Sequence, residues 1–188
     1  MATAMRQVRN EWSAAGFFGF NRTNVKYAHN GIQNLKHYVP IAQIGWFGEL
    51  VSGTFTVSFS YDGGTSRTPV TITCSSPGVY KVRTRVQLPK DFGSIPASGL
   101  SIVTRRNAAI THLKLTMEKG GSADSAVNGV SVSPASSSTW ETFTFSPSGG
   151  YSPGEFLTFT VEFSADTASD VADVADLSLT YVNKRGNV

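Results

Sequence analysis

The chain has 188 residues, of which 15% are charged, and it holds 18 glycines, 12 phenylalanines and one cysteine. That length suits one well-buried core with a terminal extension, and the lone Cys74 excludes an internal disulfide, so the fold must rest on core burial. The net charge of +3 is unevenly spread, with eight Lys/Arg against two acids in residues 51–117 and one against nine in residues 118–182; an acidic half that offsets a basic one argues against general phosphate binding and suits contact between copies.

In chain order, residues 1–50 set Trp12, Phe17, Phe18, Phe20, Tyr27, Trp46 and Phe47 among Asn, Gly and His without a period of 2 or 3.6. This segment reads as an N-terminal arm. Burying each large ring is worth on the order of 2 kcal/mol, so the arm should dock, either across its own domain or on a neighbouring subunit. Residues 51–188 read as the domain.

From residue 53 the alternation is clear. Phe55, Val57, Phe59 and Tyr61 give an apolar face and Thr54, Thr56, Ser58 and Ser60 a hydroxyl face, before a turn at Asp62-Gly63-Gly64. Val70, Ile72 and Cys74 continue the pattern, and Ser75-Ser76-Pro77-Gly78 predicts a break before a strand from Val79 to Leu88. That strand places Lys81, Arg83 and Arg85 on one face and Val82, Thr84 and Val86 on the other.

Strands are next expected at Leu100–Thr104 and Ala109–Glu118, with Arg105, Arg106 and Asn107 as the turn between them. Gly120 to Thr139 is poor in large apolar residues and reads as a loop-dominated surface region. Three strands close the chain: Trp140–Phe145, Glu155–Phe163 with Leu157, Phe159, Val161 and Phe163 on one face, and Ala175–Val182 with Leu177, Leu179 and Tyr181 inward. About eight strands without a helix between them predict an all-β, antiparallel, jelly-roll-like β-sandwich.

Signatures of catalysis are weak. His29, His37 and His112 are scattered and match no zinc spacing, and the many serines read as strand and turn residues. Cys74 lies in phase with Val70 and Ile72, and burial makes a thiol inert. Asp166, Asp170, Asp173 and Asp176 could hold Ca²⁺, yet their spacing matches no EF-hand loop, and a solvated acidic loop is the simpler expectation. Neither an enzymatic activity nor a cofactor is expected.

The stripe Lys81, Arg83 and Arg85 could bind phosphate or an acidic sugar, can serve as an ordinary guard of a strand against aggregation, or, with Arg105 and Arg106, can meet the acidic C-terminal region of an adjacent copy or a capsid lattice and set its register. Trp140, at the start of a strand, is expected in the core, which leaves Trp12 and Trp46 as the better interface candidates.

The runs Ser138-Thr139-Trp140-Glu141-Thr142-Phe143-Thr144-Phe145, Gly154 to Phe163 and Val174 to Val182 resemble the last strands of jelly-roll carbohydrate-binding modules over residues 79–182. The whole chain, with its arm and its Ser/Thr/Gly/Val-rich strands, is similar in composition to head-decoration and fibre proteins of tailed bacteriophages. That second resemblance implies a cement protein on the outside of a virion capsid, made in the host cytoplasm. Its partners would be the major capsid protein and copies of itself, taken as a trimer, with no nucleic acid and no membrane. The alternative is a carbohydrate- or receptor-binding module of a fibre or tail protein, with a glycan as ligand. The start of the chain carries no apolar segment of signal-peptide length, and no run approaches the roughly 18 apolar residues of a membrane span.

Overall fold

The structure, a computed structural model, describes residues 34–39, 46–59, 62–67, 69–107, 111–135 and 139–183. The strands are β1 (Asn34–Val39), β2 (Trp46–Phe59), β3 (Val70–Gln87), β4 (Phe92–Ser94), β5 (Leu100–Asn107), β6 (Thr111–Lys119), β7 (Ser122–Ala123), β8 (Val130–Ser131), β9 (Glu141–Phe145), β10 (Phe156–Ala165) and β11 (Val171–Asn183). Every pairing among them is antiparallel.

One hydrogen-bonded ladder runs β7-β6-β10-β3-β11-β5-β9, with β2 also on β3, β1 and β4 on β11, and β8 on β6. It curls into two layers because β3 belongs to both. Gly78–Gln87 pairs with β10, whereas Val70–Thr73 pairs with β11, and β2 follows β3 through both layers.

The crossing point is Ser75-Ser76-Pro77-Gly78. The sequence predicts a break there, but the strand bends without ending, since β2 shifts register between Leu50 and Phe55 and keeps the ladder closed. Glycines permit the close approach. A Cβ on Gly53, whose φ is +82°, would stand 2.6 Å from the Pro77 carbonyl oxygen, and one on Gly78 would stand 2.6 Å from the Gly53 Cα.

The core lies between the layers. Leu113, Leu115 and Met117 of β6 and Leu157, Phe159, Val161 and Phe163 of β10 are wholly buried against Ile72, Leu100, Ile102, Val174 and Leu177 of the other layer. Each such side chain taken out of water contributes about 2 kcal/mol. Phe55 of β2 closes one edge, meeting Phe163 edge-to-face with centroids 5.4 Å apart. Cys74 packs in the core as its phase predicts.

Three local expectations are revised. Arg105, Arg106 and Asn107 are not a turn: β5 continues through them because Asp173, Ala172 and Val171 of β11 offer backbone partners. The segment from Gly120 to Thr139 does more than cover the surface, for it seats Val127 and Val132 in the core at 0% exposure. Within the stretch expected as an arm, β1 pairs with β11 from Asn34↔Val182 to Val39↔Leu177, and β2 begins at Trp46, so the boundary expected at residue 50 falls inside a strand.

Candidate functional site

Residues directly opposite one another in an antiparallel ladder share a face, so register alone lays out the outer surface of β6, β10 and β3. Three rows cross it: Lys114–Glu162–Lys81, Thr116–Thr160–Arg83 and Glu118–Thr158–Arg85, and beyond them Phe156 is opposite Gln87. The opposite parity, Leu157, Phe159, Val161 and Phe163, is the core.

The first row is closed on itself. Glu162 accepts from Lys81 at 3.1 Å and lies 3.9 Å from Lys114. Arg83 is taken by Glu49 of β2. The third row differs: among the described residues no carboxylate pairs with Arg85 and no cation pairs with Glu118. The Arg85 guanidinium instead lies 4.1 Å from the centre of the Phe156 ring, and that ring is 43% exposed. Burial does not explain a phenylalanine in this position.

Two connections brace this end of the face. Gln87 Nε2 donates to the Gly154 carbonyl at 3.1 Å. Lys119 donates to the Gly150 carbonyl at 2.6 Å and pairs with Glu155 at 3.0 Å. Glu155 also accepts from the Ser152 amide, and these bonds, led by that amide, hold its carboxyl below the ordinary value. Deeper in, the buried Asp124 carboxylate accepts from the amides of Ala126, Ser148 and Gly149 and from the Tyr151 hydroxyl. It thereby ties the β7–β8 connection to the β9–β10 connection, beside the start of β10. Desolvation pushes the Asp124 carboxyl up, but the hydrogen bonds outweigh it and the net displacement is downward.

The chemistry of the third row is complementary in kind. A guanidinium only donates, a carboxylate only accepts, and a threonine hydroxyl does both, while the exposed ring supplies an apolar surface. Strand spacing of about 4.8 Å puts Arg85 and Glu118 about 10 Å apart with Thr158 between them. Such a row fits a flat ligand studded with hydroxyls.

The opposite layer carries a second polar cluster. Arg105 donates to Asp173 from Nε at 2.8 Å and Nη2 at 2.6 Å, and to Asp62 from Nη1 at 3.2 Å. Its guanidinium lies 4.4 Å from the centre of the Trp140 ring, and that of Arg67 lies at 5.3 Å. Trp140 Nε1 donates to Asp62 at 3.2 Å. Trp140 is therefore not the core residue that its place before β9 suggests, because Arg105 and Arg67 take it to the outer face.

The four aspartates expected as one solvated loop are dispersed to separate partners. Asp166 pairs with His112, Asp173 with Arg105 and Asp176 with Arg67. Asp170, wholly buried, caps its own turn through the amides of Asp166 and Thr167 and the Thr167 hydroxyl. Among the described residues no three His, Cys, Asp or Glu side chains converge where a metal ion could sit.

The interface candidates are divided by the fold. Lys81, Arg83 and Arg85 share the β3 face, whereas Arg105 and Arg106 lie on β5 in the other layer, in register with Asp173 and Ala172. Trp46 and Phe47 open β2 opposite Thr84 and Arg83. Trp12, Phe17, Phe18, Phe20 and Tyr27 lie outside the described residues. Sequence reasoning passed over Phe156, Thr158 and Glu118, yet the strand parity that buries Leu157 already puts Phe156 and Thr158 on the opposite face.

No protein-family model matches the chain, and no curated protein is similar to it in sequence. Solved structures do share its fold. The carbohydrate-binding module TmCBM61, in complex with β-1,4-galactotriose, superposes with a TM-score of 0.51 at 14% identity, covering 73% of this chain and 88% of the module. A xylan-binding module, CBM15, gives 0.50 at 14% identity over 80% of this chain and 99% of its own. An arabinose-bound GH51 α-L-arabinofuranosidase gives 0.50 at 11% identity over 88% of this chain but only 27% of the enzyme. At such identities the likeness establishes architecture alone: an all-β, antiparallel jelly-roll sandwich.

Proposed function

We propose that this chain is a non-enzymatic carbohydrate-binding domain that takes a glycan across the outer face of β6, β10 and β3. The observation that carries the reading is the row Arg85–Thr158–Glu118 beside the exposed Phe156. Sugars offer hydroxyls in the plane of the ring and C–H groups above and below it. A donor, an acceptor, a hydroxyl and an aromatic surface meet both. The named sugar ligands of TmCBM61 and CBM15 support the reading, since the same sandwich serves binding there.

Affinity electrophoresis of the full chain through gels containing β-galactan, xylan and acidic polysaccharides tests it. Retardation by at least one polymer is expected, with an affinity that falls about tenfold in Phe156→Ala, equivalent to about 1.4 kcal/mol. Unretarded migration in every gel would count against the reading.

A second reading, a decoration protein on a viral capsid surface, draws on β2. Leu50, Val51 and Phe59 are 58, 53 and 52% exposed on that strand, and large apolar side chains left exposed along one strand suit contact with another protein. Sedimentation with intact capsids across a range of salt tests it, and recovery of the protein only in the supernatant would contradict it.

A further inference from the structure

Resting on the glycan reading, we infer that the ligand is an acidic glycan, a polymer containing uronic acid, and that Arg85 receives its carboxylate. The outer face of β6, β10 and β3 carries four cations: Lys81, Arg83, Arg85 and Lys114. Three of these face a carboxylate within the chain, Lys81 and Lys114 sharing the single charge of Glu162 and Arg83 pairing with Glu49. Arg85 alone among them has no carboxylate partner among the described residues.

Its surroundings leave the guanidinium available. Glu155, the residue before Phe156, is engaged by Lys119 and the Ser152 amide. Gln87, the next residue on that face, is bound to the Gly154 carbonyl. Contact with the Phe156 ring at 4.1 Å limits the freedom of the guanidinium, and its N–H fork matches the two oxygens of a carboxylate.

Glu118 then sets the direction of the chain. It repels an anion from the β6 side of Thr158 and accepts from neutral hydroxyls there, so the uronic acid belongs over β3 and its hydroxyl-bearing neighbour over β6.

The test is isothermal titration of the full chain with polygalacturonate and alginate, each beside its carboxyl-reduced counterpart. The acidic polymer should bind at least about tenfold more tightly than its reduced partner, and Arg85→Gln should erase that preference by weakening the acidic polymer about tenfold more than the reduced one. Arg85→Lys, which keeps the charge and loses the fork, should retain only part of it. Lys90→Gln removes the same charge from an exposed turn between β3 and β4 and should leave the preference in place.

Equal binding of the acidic and reduced polymers would overturn the inference and leave the glycan reading standing. Equal losses in the Arg85 and Lys90 variants would overturn it too, by showing attraction to the net charge alone. Binding to neither polymer of any pair, nor to neutral galactan or xylan, would overturn both.

Discussion

The guanidinium of Arg105 lies 4.4 Å from the centre of the Trp140 ring while donating two hydrogen bonds to Asp173. Asp173 is 7% exposed, and its other oxygen accepts from the Thr71 hydroxyl at 2.6 Å. Removing the arginine strands a largely buried carboxylate, which costs far more than a surface pair is worth. Arg105→Ala should lower stability by about 2 kcal/mol or more in urea unfolding. Arg105→Met combined with Asp173→Asn should recover part of that loss, because no buried charge is left alone.

Asp124 predicts the acid limb of the stability curve. Its carboxyl is held below the ordinary 3.8 in the folded chain despite desolvation. The stability it contributes is therefore present in full above its unfolded value and is lost as the pH falls through the folded one. Asp62 and Glu155, also displaced downward, act in the same direction. Asp124→Asn should make the fall in stability below about pH 4 shallower and cost about 2 kcal/mol at neutral pH, from the unsatisfied donors it leaves.

Tyr151 predicts the alkaline limb with the opposite sign. Burial first, and its bond to Asp124 second, raise its hydroxyl well above the ordinary value of 10. Its contribution is complete below that value and is lost as the pH rises through the folded one. Tyr151→Phe should cost about 1 kcal/mol near neutrality and flatten the decline of stability above pH 10, as read from thermal midpoints.

Gly78→Ala probes the bend that joins the layers. Its new Cβ would meet the Gly53 Cα at 2.6 Å and the Ser52 carbonyl group, and both obstacles are backbone. A loss of about 2 kcal/mol or more is expected, with the unfolding transition still cooperative. An unchanged midpoint would show that β2 and β3 part at the bend without cost.

How much of this was legible in the sequence differs by element. Phe55 and Val57, like Leu157 to Phe163, announce their strands because one face is buried and the other wet, so polarity must alternate. The bend at Ser75–Gly78 reads as a break because Pro and Gly interrupt strands in general; only a partner strand that shifts its register keeps the ladder whole. Arg105 reads as a turn residue, since its charge is matched by Asp62 and Asp173, 43 and 68 positions away.

The candidate site was half visible. Parity alone puts Arg85 with Lys81 and Arg83, and Phe156 opposite Leu157. That Glu162 pairs with Lys81 while Arg85 keeps its charge follows from which strands become neighbours, and β3, β10 and β6 are far apart in the chain. Trp140 was misplaced because its position at the start of a strand suggests burial, whereas the two arginines that flank it come from a hairpin and from β5.

The most direct test of the central claim is to map the ligand on the protein by NMR, titrating isotope-labelled full-length chain with an oligosaccharide of the polymer that binds best. Binding at the proposed face shifts the amides of Arg85, Thr158, Glu118 and Phe156 together and leaves Asp173 and the Trp140 indole unmoved. Shifts centred on Arg105 and Trp140, with the face of β6, β10 and β3 silent, would contradict it.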